Sequence, residues 1–160
     1  MIKGLHHVAV GVPELQAGID FYCEAFGLTV VERSTIENHP LANAAIGQPN
    51  VVAEMAMLKT PNCYIEMWQY SAPRPSDRVA NPQDLGYPHI AFQVEGIDTE
   101  VTRLTAMGMV FVGPAQNFGD ISAVYGRDPF GNVIEVYEIR DPNRPQLWGS
   151  STVDPSVQLL

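Results

Sequence analysis

A chain of 160 residues is long enough for one ordinary domain, or for two small halves sharing a core. With 46% hydrophobic and 17% charged residues, its composition is globular and excludes a disordered or fibrous chain. A net charge of −9 repels polyanions, so neither nucleic acid nor an anionic membrane surface is expected as a partner.

In chain order, HHVAVGV alternates and stops at Pro13, which predicts a strand over 6–12. In the next segment Leu15, Ile19, Tyr22 and Phe26 form one helical stripe. Pro13 suits its first position and Gly27 the residue after its end. LTVVERSTI is a β-branched run and reads as a second strand, and ENHPLANAAIGQPN as a loop. VVAEMAML and CYIEMWQY flank KTPN as a hairpin.

Residues 71–87, rich in proline and without an apolar period, read as a linker between a module at 1–70 and another at 88–140. PHIAFQV then restarts the order as a strand. Asp98 is a candidate N-cap for a short helix closed by Gly108. MVFV, ISAVYGR and VIEVYEI read as strands, with DPFGN as the turn before the last. The tail 141–160 reads as irregular. Cys23 and Cys63 lie in no CxxC and suggest no disulfide framework. The apolar run at the start is too short for a signal peptide or a membrane span, so the expected location is the cytoplasm.

The order is βαβββ, linker, βαβββ, and the halves match in letters as well. HHVAVGVPEL lies over PHIAFQVEGI, with His7 on His89, and YIEMWQ lies over VIEVYE, with Glu66 on Glu135. Strand parity separates two faces. His7, Ala9 and Gly11 share one, as do His89, Ala91 and Gln93. Tyr64, Glu66 and Trp68 oppose Ile65 and Met67; Val133, Glu135 and Tyr137 oppose Ile134 and Val136. The aliphatic faces suit the helices. The others would build a cup holding two imidazoles and two carboxylates. Two carboxylates are costly to bury unpaired, and a divalent cation neutralises both. His6 competes with His7, but parity puts His6 on the aliphatic face and alignment with His89 favours His7.

These segments together resemble the vicinal oxygen chelate superfamily, which includes glyoxalase I, methylmalonyl-CoA epimerase, extradiol dioxygenases, and fosfomycin and bleomycin resistance proteins. The carriers are HHVAVGVPELQAGIDFYCEAFGL, CYIEM, GYPHIAFQVEGID and GRDPFGNVIEVYE, spanning roughly residues 4–139. The resemblance implies an α+β fold: two paired βαβββ modules forming an eight-stranded, cup-shaped mixed sheet with helices outside. It implies the metal ligands His7, Glu66, His89 and Glu135, a set most like that of glyoxalase I. HVAVGVPEL lacks the arginine with which that family grips glutathione, so glutathione is not expected.

Two His and two Glu leave two cis positions for a substrate that chelates through adjacent oxygens. One Ni, Co, Mn, Fe or Zn ion per site suits this mixed donor set. The expected activity is that of a metal-dependent isomerase, epimerase or lyase, acting through an enediolate of a small 2-oxo, hydroxy-ketone or acyl-thioester substrate. Glu135 is the first candidate for the base, Glu66 its counterpart in the other module, and Glu54 a further candidate unless it simply faces solvent. Tyr64, Trp68, Tyr125 and Tyr137 are the expected substrate-binding residues, with Phe130 as a further neighbour. The alternatives are an Fe(II) extradiol-type dioxygenase on a catechol-like substrate, or a small-molecule binding or resistance protein. A homodimer is expected.

Overall fold

The computed structural model describes residues 1–76 and 81–147. Residues 77–80 of the predicted linker and 148–160 of the predicted tail lie outside the described residues. The chain divides into two compact units, one from each half, with the boundary after Val79.

The first unit runs β1 (His7–Gly11), α1 (Leu15–Phe26), β2 (Thr29–Glu37), α2 (Pro40–Ile46), β3 (Val52–Lys59) and β4 (Tyr64–Ala72). The second runs β5 (Ile90–Gln93), α3 (Ile97–Ala106), β6 (Val110–Phe111), β7 (Gln116–Asn117), β8 (Ile121–Arg127) and β9 (Val133–Ile139). The class is α+β, and both units follow the repeated βαβββ order, with α2 added in the first and the short β7 added in the second. The strands form two separate hydrogen-bonded sheets, β1-β4-β3-β2 and β5-β9-β8-β6 with β7 on β8, in place of one eight-stranded sheet. Each is mixed: β1 runs parallel to β4 and β5 parallel to β9, and the remaining pairs are antiparallel.

Helix α1 buries Leu15, Gly18, Ile19, Tyr22 and Ala25 over β3 and β4. Removing side chains such as Leu15, Ile19 and Tyr22 from water contributes about 1.5–3 kcal/mol each. Phe26, placed in the same stripe by periodicity, is only half-buried. A Cβ on Gly18 would lie 2.5 Å from Met67 Sδ, so the glycine sets how closely the helix approaches β4. The N-cap is Glu14, so Pro13 precedes the helix and does not occupy its first position; the Glu14 carboxylate accepts from the amides of Gln16 and Ala17. Gln69 of β4 accepts the remaining first-turn amide, Leu15 N–H, at 2.6 Å. Gly27 closes the helix with φ 65°.

Helix α3 starts at Ile97, one residue before Asp98, which therefore sits in the first turn and does not cap. The N-cap is Gly96, whose N–H donates to Glu138 of β9 at 2.6 Å. Strand β4 runs on to Ala72, into the predicted linker. The stretch read as a loop after β2 contains α2, with Pro40 at its start, Gly47 at its end and no buried residue. Asp128 holds the DPFGN turn, accepting from the amides of Phe130 and Asn132. Among the described residues no helix is long and apolar enough to cross a membrane.

Candidate metal and substrate site

Register settles which side chains share a face. Along the parallel β1–β4 pair, His7 lies opposite Tyr64, Ala9 opposite Glu66 and Gly11 opposite Trp68. Across the antiparallel β3–β4 pair, Met57 lies opposite Glu66, Met55 opposite Trp68 and Ala53 opposite Tyr70. His7, Tyr64, Glu66, Trp68 and Tyr70 therefore project to one side of the first sheet, over a floor of small residues and buried methionines. Ile65 and Met67, both buried, project to the α1 side. His7 Nε2 lies 3.4 Å from Glu66 Oε2. Glu66 Oε2 also accepts the indole N–H of Trp68 at 2.7 Å, and Trp68 stacks on Tyr70.

The second unit repeats the construction. Ala91 lies opposite Glu135 and Gln93 opposite Tyr137 along β5–β9; Tyr125 lies opposite Glu135 and Ala123 opposite Tyr137 along β8–β9. His89, immediately before β5, brings its Nε2 to 3.3 Å from Glu135 Oε2. The edge of its ring meets Tyr125, with centroids 5.0 Å apart. His89 Nδ1 is buried without a hydrogen-bond partner. Burial raises the Glu135 carboxyl above its ordinary value, partly offset by His89. Burial and then the Glu135 charge push the Tyr125 phenol up, and burial and then Glu66 do the same for Tyr70.

All four expected ligands thus occur as two His–Glu pairs, one in each unit. Donors about 2.1 Å from one divalent ion stand about 3.0–3.4 Å apart at right-angle to tetrahedral angles. Both pairs have that spacing, and imidazole nitrogen with carboxylate oxygen is a fitting donor set. Among the described residues, no group of three or more His, Cys, Asp or Glu gathers that could hold a metal.

The expected substrate residues Tyr64, Trp68, Tyr125 and Tyr137 all fall on the glutamate-bearing faces. Glu54 does not. It pairs with Gln69, on the face opposite Glu66, and is exposed, so the structure separates it from the other candidates. Phe130 sits half-exposed in the turn held by Asp128. His6 is not on the aliphatic face. It precedes β1, so strand parity does not govern it, and its ring stacks on Tyr64 beside His7. Tyr70 is an addition that sequence reasoning missed; its parity with Glu66 and Trp68 was the available signal.

A model of the Glyoxalase/Bleomycin resistance protein/Dioxygenase superfamily matches residues 4–136. A 2-epi-5-epi-valiolone epimerase of an Actinomyces species is 26% identical over 151 residues, covering 84% of this chain and 79% of that protein. Among solved structures, a glyoxalase family protein from Bacillus cereus shares 30% identity at a TM-score of 0.77, covering 87% of this chain and 95% of its own. The fosfomycin resistance protein FosX of Listeria monocytogenes, solved with Mn(II) and sulfate, is 18% identical at a TM-score of 0.58, covering 86% and 93%. That last likeness is one of fold.

Proposed function

Because this chain belongs to the glyoxalase/bleomycin resistance protein/dioxygenase superfamily, we propose that it is a divalent-metal-dependent isomerase, epimerase or lyase that removes a proton from the carbon beside a carbonyl. The observation that carries the reading is the His–Glu pair built twice, on corresponding strands, with N···O separations of 3.4 and 3.3 Å. The proposed metal ligands are His7 and Glu66 of the first unit and His89 and Glu135 of the second. Manganese in the related fold of FosX supports a hard or borderline ion, with Ni, Co, Mn, Fe and Zn as the candidates. When bound, such an ion supplies Lewis acidity toward a carbonyl oxygen.

The chain's own groups divide the remaining work. Glu66 is tied by the Trp68 indole and serves as a fixed donor. Glu135 has no such tie: its counterpart of Trp68 is Tyr137, and among the described residues only His89 faces its carboxylate closely. Glu135 is therefore the base, free to turn toward the substrate carbon and take its proton at a carboxylate oxygen. Tyr64, Tyr125 and Tyr137 offer aromatic surface to a small 2-oxo, hydroxy-ketone or acyl-thioester substrate. A relative named as an epimerase supports return of the proton to the same carbon.

The test is metal content per chain by mass spectrometry, on the protein and on His89→Ala, followed by deuterium uptake from D₂O into hydroxy-ketones and acyl thioesters. About one divalent ion per chain, lost in the variant, together with uptake, is expected. No metal after incubation with divalent ions overturns the reading. Bound iron with oxygen consumption on catechols replaces it with the dioxygenase.

A further inference from the structure

We infer that His6 is a positioning residue for His7, holding its imidazole in the tautomer that presents Nε2 as a ligand; this rests on the metal reading above. His6 Nδ1 lies 2.9 Å from His7 Nδ1. The His6 ring is itself fixed. It stacks on Tyr64 with centroids 5.0 Å apart and planes at 27°, and it meets His7 edge-on at 5.2 Å. Its backbone carbonyl accepts the Tyr64 N–H at 3.1 Å. His6 is thereby fastened to β4, the strand that carries Glu66.

A neutral imidazole carries one proton on its two nitrogens. His7 Nε2 faces Glu66 Oε2 at 3.4 Å, so with a cation held between them Nε2 is the nitrogen that must offer its lone pair. The His7 proton then belongs on Nδ1 and needs an acceptor there. His6 Nδ1 is that acceptor, and the His6 proton sits on its own Nε2, away from the contact. Turning the His7 ring breaks the Nδ1–Nδ1 contact, so the ring already points Nε2 toward Glu66, and an ion that displaces the Nε2 proton finds His6 ready to accept the one on Nδ1.

The second unit lacks the device. Pro88 stands where His6 does and has no side-chain nitrogen. His89 Nδ1 is left buried and without a partner, and the ring is steadied by its edge contact with Tyr125. The two imidazoles, equivalent by repeat, are unequal in support: His7 is pre-set and His89 is not. Partners of this kind behind a ligating histidine are worth about 10–100-fold in metal affinity.

The experiment uses the full-length protein stripped of metal and titrated calorimetrically with Mn(II) and with Ni(II). His6→Phe keeps a ring to stack on Tyr64 but removes the acceptor. His6→Asn returns an acceptor oxygen at the place of Nδ1. The Phe variant is expected to bind about 10–100-fold more weakly, and the Asn variant to recover most of that loss, with both melting as the parent does without metal. Unchanged binding by the Phe variant overturns the inference, as does an Asn variant as weak as the Phe variant. His7→Ala, run in parallel, separates the two levels. If it binds metal like the parent, the metal reading fails. If it loses metal while His6→Phe keeps it, only the role of His6 fails.

Discussion

The indole N–H of Trp68 donates to Glu66 Oε2 across 2.7 Å, and Tyr137, at the same place in the second unit, offers Glu135 no equivalent. Trp68→Phe keeps an aromatic ring against Tyr70 but frees the Glu66 carboxylate. Metal affinity should fall about tenfold, the usual effect of removing a ligand's hydrogen-bond partner. Tyr137→Phe should leave it unchanged. Calorimetric titration of the metal-free variants checks both.

The metal-free protein should become less stable as pH rises, through Glu135. Burial, against the pull of His89, raises its folded pKa above the ordinary value of 4.5. A carboxyl raised in the fold contributes stability that is fully present below the unfolded value. That stability is lost as pH climbs from about 4.5 through the raised folded value. Glu135→Gln removes this dependence. In chelator, its melting temperature should exceed the parent's at pH 7 and converge with it at pH 4. Melting curves at both pH values decide the matter, and a difference that grows toward low pH would refute the assignment.

Proton abstraction should distinguish the three glutamates. Glu135→Gln should slow deuterium uptake into substrate by about 10²–10⁴-fold, the usual worth of a positioned base. Glu54→Gln should stay within about twofold, because Glu54 is exposed on the far side of the sheet. Glu66→Gln should act mainly through weaker metal binding, its loss recovered at high metal concentration.

Much of this was legible because strand parity is rigid. Alternation in HHVAVGV, YIEMWQ and VIEVYE placed His7, Glu66 and Glu135 on the faces where the register puts them. What escaped lacked a periodic signal. Helix α2 buries none of its residues, so no apolar stripe marks it; only Pro40 and Gly47 hint at its ends. Glu14 caps α1 although glutamate is not a favoured capping type, because its longer side chain still reaches two amides. His6 stands one residue outside its strand, where alternation carries no information.

Gly126 supports a different expectation, about stability. A Cβ there would lie 2.8 Å from the Phe111 ring and 3.2 Å from the Val110 carbonyl oxygen. Gly126→Ala must push β6 away from β8 and should cost about 1–3 kcal/mol in unfolding free energy. Urea denaturation measures it; a neutral effect would mean that β6 yields freely.

Gln69 and Glu138 stand three residues beyond Glu66 and Glu135, and each accepts an amide at the start of its unit's long helix, at 2.6 Å in both. Glu138 is also paired with Arg140 at 2.9 Å. Gln69→Ala should cost about 1 kcal/mol, as loss of a helix cap does, and Glu138→Ala somewhat more. Thermal unfolding at fixed pH checks the order.

The lateral pairing of each histidine strand with its glutamate strand also governs which changes in length the gene can tolerate. An added residue between Gly11 and Tyr64 can be taken up in the turns that join α1, β2, α2 and β3. The same insertion between His7 and Gly11 would invert every side chain on one side of it and carry the imidazole to the helix side. Relatives of this chain should therefore differ in loop length while the short distance from each histidine to the end of its own strand stays constant.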